Sequence, residues 1–319
     1  MVIVNHQQLS FDIYSELEPF LDRFPQYVIK EDKLQSCSPF RSERHPSFAV
    51  NLENGTWIDS GAVGDFRKGN FITLLSFLRE EQYEDTSDYL INMYSPLKAD
   101  TDDLHLDLAF LTEKNNSDDL KVFSKEELKA FAYRSRYLAS RGISEEVQRL
   151  FRVGYDPEHK AVAMSWCDVY GNVVNIKFRS ITDKRFWYAG GQRIKGHLYG
   201  NHVYSACGIP ILAITESEID CMRLWTLGIP AVALGTAHVS SEQGRLLLNS
   251  GAEEVVIATD NDTAGKECGK QIEAMLVGQA RLTYFNFCRD SAKDISDLTD
   301  KEIINGYSER KALKIIQNS

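Results

Sequence analysis

Hydrophobic positions in this chain follow one rhythm before about residue 209 and another after it. Upstream, FDIYSELEPFLDRF repeats its apolar residues at helical spacing, while PSFAVNL and GTWIDSG read as short strands. A second helical pattern runs from NFITLLSFLREE to DYLINMY. From Pro96 to about Asp119 the residues turn polar and acidic, with too little to bury, and read as a linker. Beyond Lys121 a helical stretch leads into AVAMSWC, a DVYGN turn, VVNIKFRSI and RFWYAG, which alternate as strands do. Downstream, PILAIT, PAVALG, EVVIAT and RLTYFNF are short apolar runs separated by the helical segments EIDCMRLWTLG, SEQGRLLLNSG and AGKECGKQIEAMLVG. That alternation predicts a parallel sheet covered on both faces, with right-handed crossovers and ligands beyond the carboxyl ends of its strands. No internal repeat is present. The expected organisation is a domain over 1–95, a linker over 96–120, a basic subdomain over 121–205 and a catalytic domain with C-terminal helices over 206–319.

Composition agrees with several cores. With 319 residues and 43% apolar content, the chain can bury two or three, each modest in size. No apolar run approaches the roughly 20 residues needed to span a bilayer. The opening MVIVNHQQLSFDIY lacks the basic and apolar regions of a signal peptide, so a cytoplasmic protein is expected, with no membrane partner. Six scattered cysteines without a CxxC pair predict reduced thiols rather than a disulfide framework. A net charge of −10 speaks against nucleic acid as a partner until its distribution is considered. Between residues 161 and 200 there are six basic side chains (Lys177, Arg179, Lys184, Arg185, Arg193, Lys195) against two acidic ones (Asp168, Asp183), enough for a local phosphate-attracting face.

The downstream acids sit where a parallel sheet would gather them. Glu216 follows the first predicted strand, Asp260 and Asp262 follow the third, and Asp294 and Asp297 come soon after the fourth. Carboxylates brought together in this way repel, at about 4 kcal/mol for a pair 4 Å apart in an effective dielectric near 20. Hard oxygen donors of this kind suit Mg2+ or Mn2+ as the neutralising cation. Any single one of them also fits a plain role as a helix cap or a solvated loop residue.

As an ordered set, ITESEID, ALGTA, ATDNDTAGK and AKDISDL resemble the signature of the TOPRIM domain, found in DnaG-type primases, topoisomerases and some nucleases. The resemblance spans about Pro210–Leu298, and the LGT of the second motif points to the primases. Upstream, YLASRGIS, FRVGYDP, KFRSI, KRFWYAG and IKGHLYG resemble the basic RNA-polymerase subdomain that precedes TOPRIM in those enzymes. Where the family has GGR this chain has KFR, and either Lys184 or Arg185 occupies the next basic position. At the N-terminus, SPFRSERHPSFAV and WIDSGAVGDFRKGNF follow the frame of the family's zinc ribbon, but its four ligand positions fall on Ser38, Arg41, Asp59 and Ala62. None of these is a thiolate or imidazole, so no zinc is expected. A relic of the ribbon held by Phe48, Val50, Trp57, Phe71, Ile72 and Leu75 is expected instead, with Arg41, Arg44, Arg67 and Lys68 available to a template.

The fold implied is α/β with α+β N-terminal parts: a Rossmann-like TOPRIM sheet preceded by a basic mixed subdomain and a zinc-ribbon-like domain. The activity implied is that of a DNA primase, which makes short RNA primers from NTPs on single-stranded DNA by two-metal nucleotidyl transfer. Asp260, Asp262 and Asp294 would hold Mg2+ or Mn2+ with Asp297 as an outer partner, and Glu216 would serve as ligand or base. Asp220, Gly235 and Thr236 would support them. Arg179, Lys184, Arg185, Lys195 and Lys266 would meet template and nucleotide. No Walker A sequence is present, so a separate replicative helicase is a candidate partner, and the economy fits a phage or mobile element. Two rival readings remain: a TOPRIM metal-dependent nuclease, and an inert replication adaptor that binds single-stranded DNA.

Overall fold

The structure, a computed structural model, describes residues 2–5, 7–95 and 121–312. The acidic segment expected at 96–120, and residues 313–319, lie outside the described residues. The chain divides into two compact units, Met1–Lys121 and Val122–Ser319. Among the described residues no helix is long and apolar enough to cross a membrane.

In the first unit, strands β1 (Val2–Val4) and β2 (Gln7–Leu9) form a hairpin ahead of helix α1 (Ile13–Leu17). Asp12 caps α1 by accepting the Tyr14 N–H at 3.0 Å. The helix expected to continue to Phe24 does not, because Pro19 has no N–H to give and its ring crowds the preceding turn. The chain proceeds instead as a 3-10 segment, Glu18–Arg23. Strands β3 (Val28–Lys30), β4 (Lys33–Ser36), β5 (Phe48–Asn51), β6 (Trp57–Asp59) and β7 (Lys68–Gly69) then form an antiparallel meander in sequence order. Helices α2 (Phe71–Leu78) and α3 (Tyr83–Tyr94) follow. Burial alternates along β4 and β5, as expected of a sheet with one packed face. The inner residues build an aromatic core, with the Phe40 ring centroid 5.1 Å from Trp57 and 4.6 Å from Phe77.

Ser38, Arg41 and Asp59, three of the four positions expected to match ribbon ligands, meet in this unit. Asp59, fully buried, accepts from Arg41 Nη2 at 2.9 Å, Ser47 Oγ at 2.9 Å and the Gly61 N–H at 3.0 Å. Glu43 pairs with Arg41 at 2.6 Å and accepts the Ser38 N–H at 2.7 Å. Burial works against ionisation of Asp59, yet the nearby Ser38 hydroxyl and the Arg41, Ser47 and Gly61 donors outweigh it and hold the carboxyl below its ordinary range. Arg41 is therefore committed to this network rather than offered to a template, which corrects the expectation for that residue. Arg44, Arg67 and Lys68 are exposed.

The second unit opens with α4 (Lys125–Lys129), α5 (Tyr137–Ser140) and α6 (Glu145–Leu150). Strands β8 (Gly154–Asp156), β9 (Ala161–Cys167), β10 (Val173–Ser180) and β11 (Phe186–Tyr188) make an antiparallel sheet with neighbours in chain order. Both of its faces are covered. Val162, Met164 and Trp166 look one way, while Ala163, Ile176 and Phe178 look the other, toward Phe123, Leu128 and Phe131. A bulge between Val173 and Asn175 shifts the alternation and leaves Val174 and Lys177 on the Trp166 face.

After α7 (Asn201–Cys207) come the strands and helices read from the apolar runs. They are β12 (Ile211–Thr215), α8 (Glu218–Thr226), β13 (Ala231–Ala233), α9 (Ser241–Leu248), β14 (Glu254–Ile257), α10 (Thr263–Leu276) and β15 (Arg281–Tyr284). The sheet order is β13-β12-β14-β15, all parallel. Leu212, Ile214, Val255, Val256 and Ile257 are nearly all inaccessible because helices cover both faces. Burying each such side chain is worth about 1.5–3 kcal/mol. After α11 (Asp300–Ser308) the chain returns as β16 (Lys311–Ala312), antiparallel to β15. Among the described residues, one helix and a strand thus follow the Asp294 loop, and the rest of the stretch expected to be helical lies outside them.

Candidate active site

Each acidic motif lies at the carboxyl edge of the parallel sheet, as the topology requires. Glu216 directly follows β12, and its Oε1 accepts the Asp260 N–H at 2.9 Å, fastening the end of the first strand to the loop after β14. That loop is tied in turn to the one after β15, since the Asn261 N–H donates to the Lys293 carbonyl at 2.7 Å. Asp294 follows immediately. Asp220, on the first turn of α8, accepts from Ser217 Oγ at 2.8 Å and from Ser296 Oγ at 2.6 Å, bringing α8 to the same loop. Gly265 is needed for this closeness, because a Cβ there would lie 2.1 Å from the Asp260 carbonyl oxygen.

Electrostatics record the convergence. Asp260 is pushed up to about 10, first by burial and then by the charges of Glu216, Asp220, Asp294 and Asp262. Its carboxylate accepts no hydrogen bond among the described residues. Asp220 rises to about 6 through burial and the Asp294 charge, against the pull of its serine donors. Asp294 also rises, through burial and Asp297. Asp262 and Asp294 each keep a capping role: Asp262 Oδ1 accepts the Gly265 N–H at 2.9 Å and Asp294 Oδ1 the Asp297 N–H at 3.0 Å. Asp297 is exposed and takes the Lys293 N–H at 2.9 Å.

The donor set fits a divalent cation in kind. Every candidate is a hard carboxylate, the shared charge raises the proton affinity of Asp220, Asp260 and Asp294, and among the described residues no protein donor balances Asp260. Among the described residues, however, no three histidine, cysteine or acidic side chains are already arranged as a closed ligand set.

Residues 213–299 match the family model described as Toprim-like. The chain carries a Toprim-like domain. No curated protein matches the sequence. Among solved structures, the zinc-binding and RNA-polymerase domains of Aquifex aeolicus primase are 18% identical, with 96% of this chain and 87% of that one covered at a TM-score of 0.47. The primase fragment of the bacteriophage T7 primase-helicase protein is 21% identical over 60% of this chain and 78% of its own, at 0.48. The E. coli primase catalytic core is 18% identical over 56% and 73%, at 0.47.

The supporting motif of the Toprim-like domain is held from both sides. Gly235 has φ +79, and a Cβ there would strike Trp166 at 2.6 Å. Its N–H donates to the Glu216 carbonyl at 2.8 Å, and Thr236 Oγ1 donates to the His238 carbonyl at 2.7 Å. Lys177 Nζ lies 3.4 Å from the Gly235 carbonyl and 3.2 Å from Glu218 Oε1. Trp166 Nε1 donates to the same carboxylate at 3.1 Å. Lys177 and Glu218 are 1% and 3% exposed, which corrects the sequence reading that counted Lys177 in a solvent-facing basic patch. A lysine on a strand reads as polar and outward, and only a partner far along the chain reveals otherwise.

The other basic residues lie as follows. Arg179 is half-buried on β10, Lys184 is exposed in the turn before β11, and Arg185 pairs with Asp183 at 2.7 Å. Lys195 is half-buried, its carbonyl accepting from Ser240 Oγ at 2.6 Å, and Lys266 is exposed on the first turn of α10. A guanidinium that the sequence reading left without a role also acts on the acids. The charge of Arg141 lowers the proton affinity of Asp294. Its signal was present in YLASRGIS, as the arginine at the C-terminal end of α5.

Proposed function

We infer that this chain is a DNA primase that joins NTPs into a short RNA primer on single-stranded DNA. The observation that carries the reading is the gathering of Glu216, Asp220, Asp260, Asp262 and Asp294 at one edge of the parallel sheet, with Asp260 unable to ionise comfortably unless a cation is near. Asp260, Asp262 and Asp294 would hold Mg2+ or Mn2+, with Asp297 outside them and Glu216 as a further ligand or base. When bound, the metal supplies charge neutralisation for the attacking 3′-oxygen and the departing pyrophosphate. The chain's own part is to orient and to neutralise. Arg179, Lys184 or Arg185, and Lys195 would follow the template and triphosphate electrostatically, and Lys266 would add its charge at the positive end of α10. Arg141 is added to this set by its effect on Asp294. The Lys177–Glu218 pair would keep the β8–β11 sheet and the Gly235 loop in fixed relation. A replicative helicase is the partner class that would supply unwound template.

The test is de novo RNA synthesis on a panel of single-stranded templates with Mg2+ or Mn2+, with and without NTPs. Asp260→Ala and Glu216→Gln are expected to abolish synthesis while circular dichroism stays unchanged. Wild-type-like synthesis by both variants refutes the assignment. Template fragments that appear without NTPs turn the same carboxylates into a nuclease, and binding without either product leaves a DNA-binding adaptor.

A further inference from the structure

On the other face of the β8–β11 sheet, away from Trp166 and Glu218, lies a cavity of about 290 Å3. Its floor is apolar, made by Phe131, Ala163 and Ile176, with Ser165 at one side. Its rim carries Tyr133 and the guanidinium-bearing residues Arg134, Arg149 and Arg152. Glu145 meets two of these, at 3.0 Å from Arg149 and 4.0 Å from Arg134, so one exposed carboxylate is shared between two exposed cations. Arg152 is bonded to a neutral acceptor, the Gly171 carbonyl. The rim therefore holds positive charge in excess.

Arg152 is also in an unusual conformation. It ends α6 with φ 53, its N–H bonded to the Arg149 carbonyl at 3.1 Å and the next N–H to the Gln148 carbonyl at 2.9 Å. This is the left-handed position after a helix that glycine usually fills, so an arginine there costs folding stability. Ser165 Oγ fixes the strained peptide by donating to the Arg152 carbonyl at 2.9 Å.

We propose that this cavity binds a nucleoside phosphate, its ring on the apolar floor beside Tyr133 and its phosphate among Arg134, Arg149 and Arg152. The volume lies at the lower end of the roughly 300–1,000 Å3 usual for ligand pockets and suits one mononucleotide rather than a strand. A bare anion would use the rim and leave the floor empty, whereas an apolar ligand would make no use of the rim's excess positive charge. The site does not depend on the carboxylates, which lie beyond the opposite face of the sheet.

Isothermal titration of the full chain with AMP and GMP tests this, in EDTA so that no divalent ion occupies the acidic edge. Arg134→Ala/Arg149→Ala changes only exposed side chains, and Arg152→Gly removes a guanidinium where the backbone favours glycine. Each is expected to weaken binding roughly tenfold or more, while inorganic phosphate binds more weakly than either nucleotide. Absence of nucleotide binding overturns the proposal. So does unchanged affinity in both arginine variants, or phosphate binding as tight as that of AMP.

Discussion

Replacing Asp260 with asparagine removes a charge while keeping the outline of the side chain. In the metal-free protein Asp260 sits half-buried among four other acids and holds its proton to about pH 10, against an ordinary value of 3.8. A group whose folded value is raised stabilises most at low pH. As pH climbs past 3.8 the unfolded chain releases the proton and the folded chain does not, so unfolding becomes easier by about 1.4 kcal/mol per pH unit. Between 3.8 and 7 the loss reaches about 4 kcal/mol, a ceiling because neighbouring acids share the proton. Asparagine removes that slope, and little is forfeited, since Asp260 accepts no hydrogen bond among the described residues. Asp260→Asn should therefore be more stable than wild type at pH 7 in EDTA, by up to about 4 kcal/mol, with the gap closing near pH 4. Urea unfolding from pH 4 to 9 reads this directly, with Trp166, Trp187 and Trp225 reporting on the second unit. Adding Mg2+ at pH 8 should raise wild-type stability and narrow the gap. Parallel curves for the two proteins across pH 4–8, or a variant less stable at pH 8, would show that the acids do not share a field.

Three further outcomes follow from the packing. Lys177→Met strands Glu218 in the interior with Trp166 as a remaining donor, and should cost about 3–5 kcal/mol in urea unfolding; Lys177→Met with Glu218→Gln should recover much of it, and a single variant of wild-type stability removes the pair from the fold's support. Asp59→Ala should destabilise the first unit by about 2–3 kcal/mol, discounted because Arg41 is partly hydrated, while EDTA leaves that unit's unfolding unchanged; a chelator-sensitive transition would mean that a metal, not the network, holds it. Gly265→Ala forces backbone apart beside Asp260 and should lower stability by at least about 2 kcal/mol, measured the same way, and a neutral result would mean that the loop yields without cost.

The parallel sheet was legible because its strands are buried on both sides and so appear as unbroken apolar runs between glycine and proline breaks. The acidic edge followed from topology: residues that end parallel strands share an edge whatever their distance along the chain. What stayed hidden depended on partners that no local pattern announces. Lys177 gave no sign of Glu218, 41 positions on. Strand β16 is two exposed residues whose only signature is the edge they complete. The short α1 was visible in principle, since Pro19 stands inside the apolar repeat that suggested a longer helix.

Because β9 and β10 are covered on both sides, sequence neighbours on them belong to different chemistries. Trp166 braces the carboxylate of α8 and Ser165 steadies the strained Arg152; Lys177 holds Glu218 and Ile176 floors the cavity. A scan that mutates these strands one position at a time should thus yield two interleaved phenotypes with a period of about two, and averaging adjacent positions would erase both.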